Sequence, residues 1–269
     1  MNELELILTD ICNCSRADLY SNSSTLLKEK EFVRLDTILK NRAKQIPLQY
    51  ILGYAEFMGL RFKVRKGVLI PRPETEILVE TVIDKVKKTE DRKQKTEVLD
   101  IGTGSGCIAI SLAKFLKNAH IVAVDISKQA INLASENAKS HNVKEISFLE
   151  GDLFDLIKNK TGLLNKKFDI IVTNPPYVTT SEIGLYDKTT SYEPTIALDG
   201  GKDGLAFYRR LSKTTGVALK KGGFLIMEIG YNQLTEIKNI FSSGWIIEEI
   251  IKDYQGIDRV LVIKQESNG

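Results

Sequence analysis

Cysteine is scarce in this chain of 269 residues, which contains only Cys12, Cys14 and Cys107. An odd number of cysteines at these spacings does not match the ligand pattern of a metal site. We therefore expect no bound metal, and an enzyme that works in the reducing cytoplasm.

Long hydrophobic runs are also lacking. No uninterrupted apolar stretch approaches the ~18 residues that a membrane-spanning helix requires. The first residues, Met1 to Glu5, are acidic and do not contain the hydrophobic core of a secretion signal. We therefore expect neither secretion nor a membrane partner.

Charge of one sign is not in large excess. The chain has 38 lysines and arginines against 35 aspartates and glutamates, which gives a formal net charge of +3. Proteins that bind nucleic acids usually carry a basic stripe. We expect no specific nucleic-acid partner, although a local basic patch would be compatible with this balance.

The six prolines all lie outside the interiors of the predicted helices and strands. Residues 1 to about 45 have the apolar spacing of helices. Residues 56–64 alternate between apolar and polar side chains around Gly59, which predicts a β-hairpin. Pro71 and Pro73 then stiffen the chain before a predicted helix over residues 76–86. We predict a small helical domain with a hairpin linker over residues 1–75, and a second domain over residues 76–269.

From residue 96 onward, short apolar strands alternate with helical segments. The predicted strands are residues 97–100, 121–125, 146–149, 168–173, 223–228, 245–251 and 259–264. The helical segments between the first five predict an α/β fold with a doubly wound parallel sheet. The short turn before the last strand predicts that the last two strands pair antiparallel.

Three alternate glycines follow the first of these strands, in the segment Asp100-Ile101-Gly102-Thr103-Gly104-Ser105-Gly106. Glycines before a helix let backbone N–H groups approach a carboxylate or phosphate closely. The third glycine of a dinucleotide-binding fingerprint would fall at Cys107, and the Gly-Lys-Ser/Thr of a P-loop is missing. The segment predicts a ligand loop of another kind, and a simple tight turn is the alternative.

Two acidic residues follow the next two strands. Asp125 lies about 20 residues beyond the glycines, where an acid can accept hydrogen bonds from both hydroxyls of a ribose. Asp152 is placed to accept a hydrogen bond from an adenine amino group. Each of these residues has an alternative role as a helix N-cap.

The order Asp100-x-Gly-x-Gly-x-Gly, Asp125, Asp152 resembles the cofactor site of class I methyltransferases. The two antiparallel strands at the C-terminus resemble the end of that fold. This resemblance implies a Rossmann-like sheet of seven strands and S-adenosyl-L-methionine as the cofactor. It also implies that the methionine moiety lies over residues 102–106, the ribose on Asp125 and the adenine near Asp152.

The fourth strand leads into Asn174-Pro175-Pro176-Tyr177, at a strand end where α/β sheets bind their ligands. A planar NH₂ nitrogen becomes more positive while it takes up a methyl group, so two oxygen acceptors aimed at its hydrogens stabilise the transition state. The Asn174 side-chain oxygen and the rigidly held Pro175 carbonyl can supply them. Tyr177 can lie against the planar group. A proline-rich turn without a catalytic role is the alternative.

Asn-Pro-Pro-Tyr is typical of methyltransferases that act on exocyclic amino groups of bases or on glutamine side-chain amides. Residues 46–53, 70–76, 192–194 and 197–205 resemble the corresponding parts of protein-(glutamine-N5) methyltransferases that modify peptide chain release factors. The resemblance covers nearly the whole chain. It implies that class I release factors are the partners, that the glutamine of their Gly-Gly-Gln motif is methylated, and that residues 1–75 recognise the substrate.

The chain departs from that family at Leu153, where relatives often carry a tryptophan. We therefore expect Leu153 with Phe154 as the adenine wall, and the resemblance adds Asn174 to the cofactor contacts. Two alternatives stay open. A glutamine methyltransferase of a ribosomal protein would differ mainly in the N-terminal domain. An adenine-N6 methyltransferase of DNA or RNA shares the tetrad but should add a basic target-recognition surface.

Overall fold

The helical N-terminal region forms a compact unit of its own. The computed structural model describes residues 2–21, 26–89, 95–158, 166–183, 185 and 191–266. The chain divides into two compact units, Met1–Tyr54 and Ala55–Gly269. The first contains the helices α1 (Glu3–Cys12), α2 (Arg16–Ser21), α3 (Glu29–Ala43) and α4 (Leu48–Leu52). Its core is formed by Ile7, Ile11, Ile38 and Leu48, and the predicted helical character is confirmed.

The predicted hairpin follows, with strands β1 (Tyr54–Phe57) and β2 (Leu60–Lys63). Met58 and Gly59 both have positive φ, at 52° and 69°, as a two-residue hairpin turn requires. Phe57 and Phe62 are buried and meet edge to face, with ring centroids 6.1 Å apart. This aromatic pair anchors the hairpin in the core of the second unit.

The second unit is built on a seven-stranded sheet in the order β5-β4-β3-β6-β7-β9-β8. Its strands are β3 (Thr96–Ile101), β4 (Ala119–Asp125), β5 (Ile146–Glu150), β6 (Phe168–Thr173), β7 (Leu219–Glu228), β8 (Trp245–Lys252) and β9 (Asp258–Gln265). The first five are parallel, and β9 pairs antiparallel with both β7 and β8. The predicted fold class and the antiparallel pairing of the last two strands are confirmed.

Helices cover both faces of this sheet. They are α5 (Thr75–Thr89), α6 (Cys107–Phe115), α7 (Lys128–Ser140), α8 (Leu153–Lys158), α9 (Ala206–Thr214) and α10 (Leu234–Ile240). Val98 is buried on one face with Leu78 and Leu112, whereas Leu99 is buried on the other face with Leu211. Because successive side chains of a strand point to opposite faces, a strand covered on both sides needs apolar residues almost throughout. That requirement explains the apolar runs that predict the strands.

Strand β7 begins earlier than predicted, at Leu219 instead of residue 223. Its pairing with β6 shifts register between Phe168 and Ile170, and Gly222 has φ +79°. The segment Lys220-Lys221-Gly222-Gly223 has the composition of a turn, and the fold accommodates it as an irregularity inside a strand.

Within the described part of the chain, every helix is too short or too polar to cross a membrane.

Candidate active site

The carboxyl ends of β3 and β6 lie side by side where the strand order reverses. Strand β3 pairs with β4 on one side and with β6 on the other, and Ile101 is opposite Thr173. The Thr173 hydroxyl donates a hydrogen bond to the Ile101 carbonyl at 3.0 Å. Open α/β sheets bind ligands in the crevice at such a switch point. The glycine loop after β3 and the Asn-Pro-Pro-Tyr segment after β6 therefore face the same crevice.

A cavity of about 320 Å³ occupies this crevice, which is the lower end of the range for small-molecule sites. Most of the residues predicted from the sequence line it: Gly102, Thr103, Gly104, Ser105, Asp125, Asp152, Leu153, Phe154, Asn174, Pro175 and Pro176. Gly106 and Tyr177 are not among its lining residues. At Gly106 a Cβ would come within 3.0 Å of the Ala134 Cβ, so this glycine lets α6 approach α7.

The N–H groups of the first two loop glycines are bound by the protein itself. Gly102 donates to the Val124 carbonyl at 2.8 Å, and Gly104 donates to Asp125 Oδ2 at 2.9 Å. Gly102 has φ +71°, and a Cβ placed on it would meet no atom within 4 Å. Because these glycines have no side chains, they leave open space in the cavity. Their N–H groups, which we expected to bind a ligand, donate to other parts of the protein instead.

Asp100 is completely buried beneath the loop. Its Oδ2 accepts a hydrogen bond from the Thr103 hydroxyl at 2.7 Å, whereas Oδ1 has no partner among the described residues. Burial raises the pKa of Asp100 to about 7; the Thr103 hydroxyl and the nearby Ala109 backbone N–H oppose this, and the charge of Asp125 adds to it. An unpaired buried acceptor costs about 1–3 kcal/mol. This carboxylate is suited to a cationic donor.

Asp125 is not the N-cap of α7, which was the alternative role that the sequence offered for it. Its Oδ1 accepts from the Ser127 N–H at 2.8 Å, in the turn before α7. The helix cap itself is Ser127, whose side chain accepts from the Ala130 N–H. Burial raises the pKa of Asp125, while the N–H groups of Ser127 and Gly104 oppose this. The carboxylate thus ties the glycine loop to α7 and also faces the cavity.

Asp152 is held by an arginine that the sequence did not single out. Arg210 of α9 reaches both carboxylate oxygens, at 2.8 and 3.0 Å, and its guanidinium lies 3.8 Å from the centre of the Phe154 ring. Burial acts against ionisation of Asp152, but Arg210 and the Phe154 N–H outweigh it and lower the pKa. Leu153 is buried, so Phe154 and Arg210 form the more accessible wall at this end of the cavity.

The two polar members of the Asn-Pro-Pro-Tyr segment are both anchored. The Asn174 side-chain nitrogen donates to the Thr75 hydroxyl at 3.0 Å, and the Tyr177 hydroxyl donates to Glu228 at 3.1 Å. Thr75 and Glu228 were not predicted as site residues. The sequence signal that could have identified Glu228 is its position at the end of a predicted strand, which it shares with Asp100 and Asp125.

The loop of residues 197–205 packs against the backbone of Tyr177. Val178 donates to the Leu198 carbonyl at 2.9 Å, and Gly200 donates back to the Val178 carbonyl at 2.7 Å. A Cβ on Gly200 would lie 2.8 Å from the Tyr177 Cα. Glycine is needed here because two backbones approach each other closely.

Glu193 joins two more of the segments that carried the family resemblance. This carboxylate is buried, accepts a hydrogen bond from the Ile70 N–H at 3.0 Å, and forms an ion pair with Arg72. Residues 70–76 and 192–194 are therefore tied together beside the cavity, to which Thr75 and Pro194 contribute.

Replacing Asp100 by asparagine should stabilise the fold, and the gain should grow with pH. The folded-state pKa of Asp100, about 7, lies above its ordinary value of 3.8. Between pH 3.8 and pH 7 the folded protein therefore binds a proton at Asp100 that the unfolded chain does not bind. The free energy of unfolding consequently falls as the pH rises through this interval. We expect the variant's advantage to increase by about 1–3 kcal/mol between pH 5 and pH 8. Urea unfolding of both proteins at each pH measures this, and a pH-independent difference would contradict it.

Replacing Gly200 by alanine should displace the Tyr177 backbone and reduce the methyl transfer expected from the sequence by roughly 10–100-fold. The matched control is Gly216→Ala, because the added Cβ there meets only the end of the Gln265 side chain. Thermal unfolding and initial rates of both variants provide the comparison. Equal activity of the two would show that the close approach at Gly200 has no catalytic consequence.

Two known families match the chain. The one described as "Methyltransferase domain" matches residues 92–251, and the one described as "PrmC N-terminal domain" matches residues 1–53. The two matches fall in different compact units, the second in the N-terminal helical unit and the first in the unit that contains the sheet.

Curated relatives match over nearly the full length. A protein of Thermodesulfovibrio yellowstonii named release factor glutamine methyltransferase is 37% identical, over 100% of this chain and 94% of its own. Proteins of the same name from Fusobacterium nucleatum and Clostridium acetobutylicum are 41% and 38% identical; they cover 98% and 97% of this chain, and 73% and 90% of their own.

Solved structures share the fold at lower identity. A methyltransferase from Pyrococcus furiosus superposes with a TM-score of 0.54 at 20% identity, covering 86% of this chain and 96% of its own. A ribosomal protein L11 methylase from Lactobacillus delbrueckii subsp. bulgaricus gives 0.53 at 21% identity, covering 80% and 91%. The solved structures show the fold alone. The similarity to curated relatives over nearly the full length shows that the chain belongs to the family of release factor glutamine methyltransferases.

Proposed function

We propose that this protein transfers the methyl group of S-adenosyl-L-methionine to the side-chain amide nitrogen, N5, of the glutamine in the Gly-Gly-Gln motif of class I peptide chain release factors. Family membership, with Asn174 at the wall of the cavity, is the observation that carries the proposal. The reaction would take place in the cytoplasm, where release factors act in translation.

The residues around the cavity fit S-adenosyl-L-methionine. Asp100 itself does not line the cavity, but Gly102 and Thr103 of the loop above it do, and its Oδ1 is buried without a hydrogen-bond partner among the described residues. We assign to this oxygen the role of acceptor for the cationic amino group of the cofactor. We assign the methionine end to residues 102–106, the ribose to Asp125, and the adenine to Asp152 and the wall of Leu153 and Phe154. When bound, S-adenosyl-L-methionine supplies an electrophilic methyl group. Since Arg210 already occupies both Asp152 oxygens, an adenine amino group would share that carboxylate with it.

Asn174 and Pro175 are proposed to act on the glutamine nitrogen. The lone pair of an amide nitrogen is delocalised, so the nitrogen attacks poorly until its growing positive charge is stabilised. Oxygen acceptors held in place at its hydrogens supply that stabilisation, and loss of one preorganised group of this kind typically costs about 10²–10³-fold in rate. No charged base is required, since the methylated nitrogen can lose its proton to water.

The Gly-Gly-Gln motif suits a site at the ends of β3 and β6. A glutamine amide must reach the crevice from the surface, so it should stand at the tip of an exposed loop. Flanking glycines have no side chains that collide with the walls around Pro175 and Tyr177. We propose that residues 1–75 bind the rest of the release factor, because remote binding energy can position a small reacting group.

The ribose assignment predicts that Asp125→Ala raises the dissociation constant of S-adenosyl-L-methionine by about 10–100-fold, through the loss of charge-assisted hydrogen bonds. Since Asp125 also holds the turn before α7, Ser127→Ala is the matched control: it removes the helix cap and leaves the carboxylate in place. Calorimetric titration of both variants tests this. An affinity of Asp125→Ala equal to that of the wild-type protein would rule out the assignment.

The substrate is tested with labelled S-adenosyl-L-methionine and three acceptors: a wild-type class I release factor, its Gly-Gly-Gln variant with alanine for glutamine, and adenine-containing DNA. We expect label in the wild-type factor alone, and mass spectrometry of its tryptic peptides should place one methyl group on that glutamine. A short Gly-Gly-Gln peptide should be a poorer substrate than the whole factor.

Label that persists in the alanine variant would point to another site on the protein. Label in the DNA would favour the adenine-N6 alternative. Preferential labelling of a ribosomal protein, added as a fourth acceptor, would favour the other glutamine methyltransferase.

A further inference from the structure

A buried carboxylate stands behind the Asn-Pro-Pro-Tyr segment. Glu228 is the last residue of β7, one position beyond the pairing of Met227 with Thr173, and only 1% of its surface is exposed. Its Oε2 accepts a hydrogen bond from the Thr75 hydroxyl at 2.7 Å, and its Oε1 accepts one from the Tyr177 hydroxyl at 3.1 Å. One side chain thus connects to both polar members of the tetrad, to Tyr177 directly and to Asn174 through Thr75.

The hydrogen bonds that run from Glu228 to Asn174 have a direction. Each oxygen of Glu228 accepts a hydrogen bond from one hydroxyl group, so the single hydroxyl proton of Thr75 is committed to Glu228. The Thr75 oxygen must then accept from its other neighbour, which is the Asn174 amide at 3.0 Å. Only the NH₂ side of the amide can donate, and its oxygen is therefore turned away from Thr75.

The surroundings of Glu228 affect its own ionisation and that of Tyr177. The pKa of Glu228 is raised above its ordinary value: burial raises it most and Glu74 adds to the rise, while the hydrogen bonds from Thr75 and Tyr177 and the charge of Arg259 oppose it. Burial and the Glu228 charge also raise the pKa of Tyr177 well above its ordinary value. The phenol therefore keeps the proton that it donates.

We propose that Thr75 and Glu228 are positioning residues, which hold the Asn174 amide with its oxygen presented to the substrate nitrogen and keep Tyr177 in place beside it. This inference rests on the proposed function, because it assigns to Asn174 the acceptor role described there. It also gives a chemical role to the segment of residues 70–76. Thr75 is the first residue of α5, is 2% exposed, and lines the cavity.

Thr75→Val and Thr75→Ser form the matched pair. Valine has nearly the shape of threonine but cannot relay the hydrogen bond, whereas serine keeps the hydroxyl. In the valine variant the amide is free to turn over and present its NH₂ group, which repels the hydrogens of the substrate. We expect kcat on a class I release factor to fall by roughly 10–100-fold. The KM for the factor and the affinity for S-adenosyl-L-methionine should stay within about twofold, and serine should restore most of kcat.

A second readout does not depend on the substrate. The side-chain NH₂ resonances of Asn174 in a ¹⁵N-correlated spectrum should shift in Thr75→Val and stay close to wild type in Thr75→Ser. If valine prevents folding, Thr75→Ala removes the same hydroxyl with less crowding. Unchanged resonances in a folded variant without the hydroxyl would overturn the proposal, whether or not the release factor is the true substrate.

The double variant separates positioning from a purely structural role. If Thr75 acts through Asn174, then Asn174→Ala combined with Thr75→Val should be no slower than Asn174→Ala alone, within about threefold. Losses that multiply would contradict the proposal. If Asn174→Ala itself keeps near-normal activity, the proposed role of Asn174 fails, and the positioning role fails with it. If Asn174→Ala is slow but Thr75→Val is fully active, only the positioning role is overturned.

Discussion

The pairing of β3 with β6 is the constraint on which the site depends. These strands are parallel neighbours with Ile101 opposite Thr173, so the segments that follow them meet at one edge of the sheet. Parallel strands cannot be joined by a short turn, and the chain forms β4 and β5 before it returns to add β6 on the other side. A register shift of two residues would move Asn174 by roughly 7 Å along the sheet. The hydrogen bond from Thr173 to the Ile101 carbonyl holds the two strand ends together.

Two buried carboxylates at strand ends differ in how fully their oxygens are hydrogen-bonded. Glu228 has a hydroxyl donor on each oxygen, whereas Asp100 has a donor on one oxygen and none, among the described residues, on the other. Both are costly to bury, and an unpaired oxygen adds to the cost. We attribute the difference to their separate roles, because Glu228 holds side chains of the protein and Asp100 lies beneath the loop where we place the ligand.

The segment around Tyr177 is supported by elements that are distant in sequence. Gly200 packs against its backbone, and the Gln233 side chain donates to its carbonyl at 2.9 Å. Glu228 accepts a hydrogen bond from its hydroxyl. Two prolines stiffen the chain just before it. Such support suits the proposed role of this segment, because a group that positions a substrate amide has to be held rigidly and the strand that leads into it ends at Thr173.

The sequence by itself determined the architecture and the chemical segments. Strands covered on both faces are apolar throughout, and helices, glycines and prolines separate them, so local composition was enough to predict the seven strands and their order along the chain. The glycine loop and Asn-Pro-Pro-Tyr could also be recognised from the sequence, because the residues of each segment are consecutive in the chain. The early start of β7 was missed because Lys220 to Gly223 resemble a turn, and only pairing with β6 makes them part of a strand.

Only the tertiary structure decided which side chains act together. Thr75 and Glu228 lie 153 positions apart and meet at 2.7 Å, and Arg210 reaches Asp152 from 58 positions away. No periodicity or motif links such residues, because a hydrogen bond depends on where the chain returns in space and not on its local pattern. Thr75 looked like an ordinary helix start and Arg210 like one of many surface arginines. Their partners, and therefore their effects on the site, were set by the order of strands in the sheet and by the helices packed on its two faces.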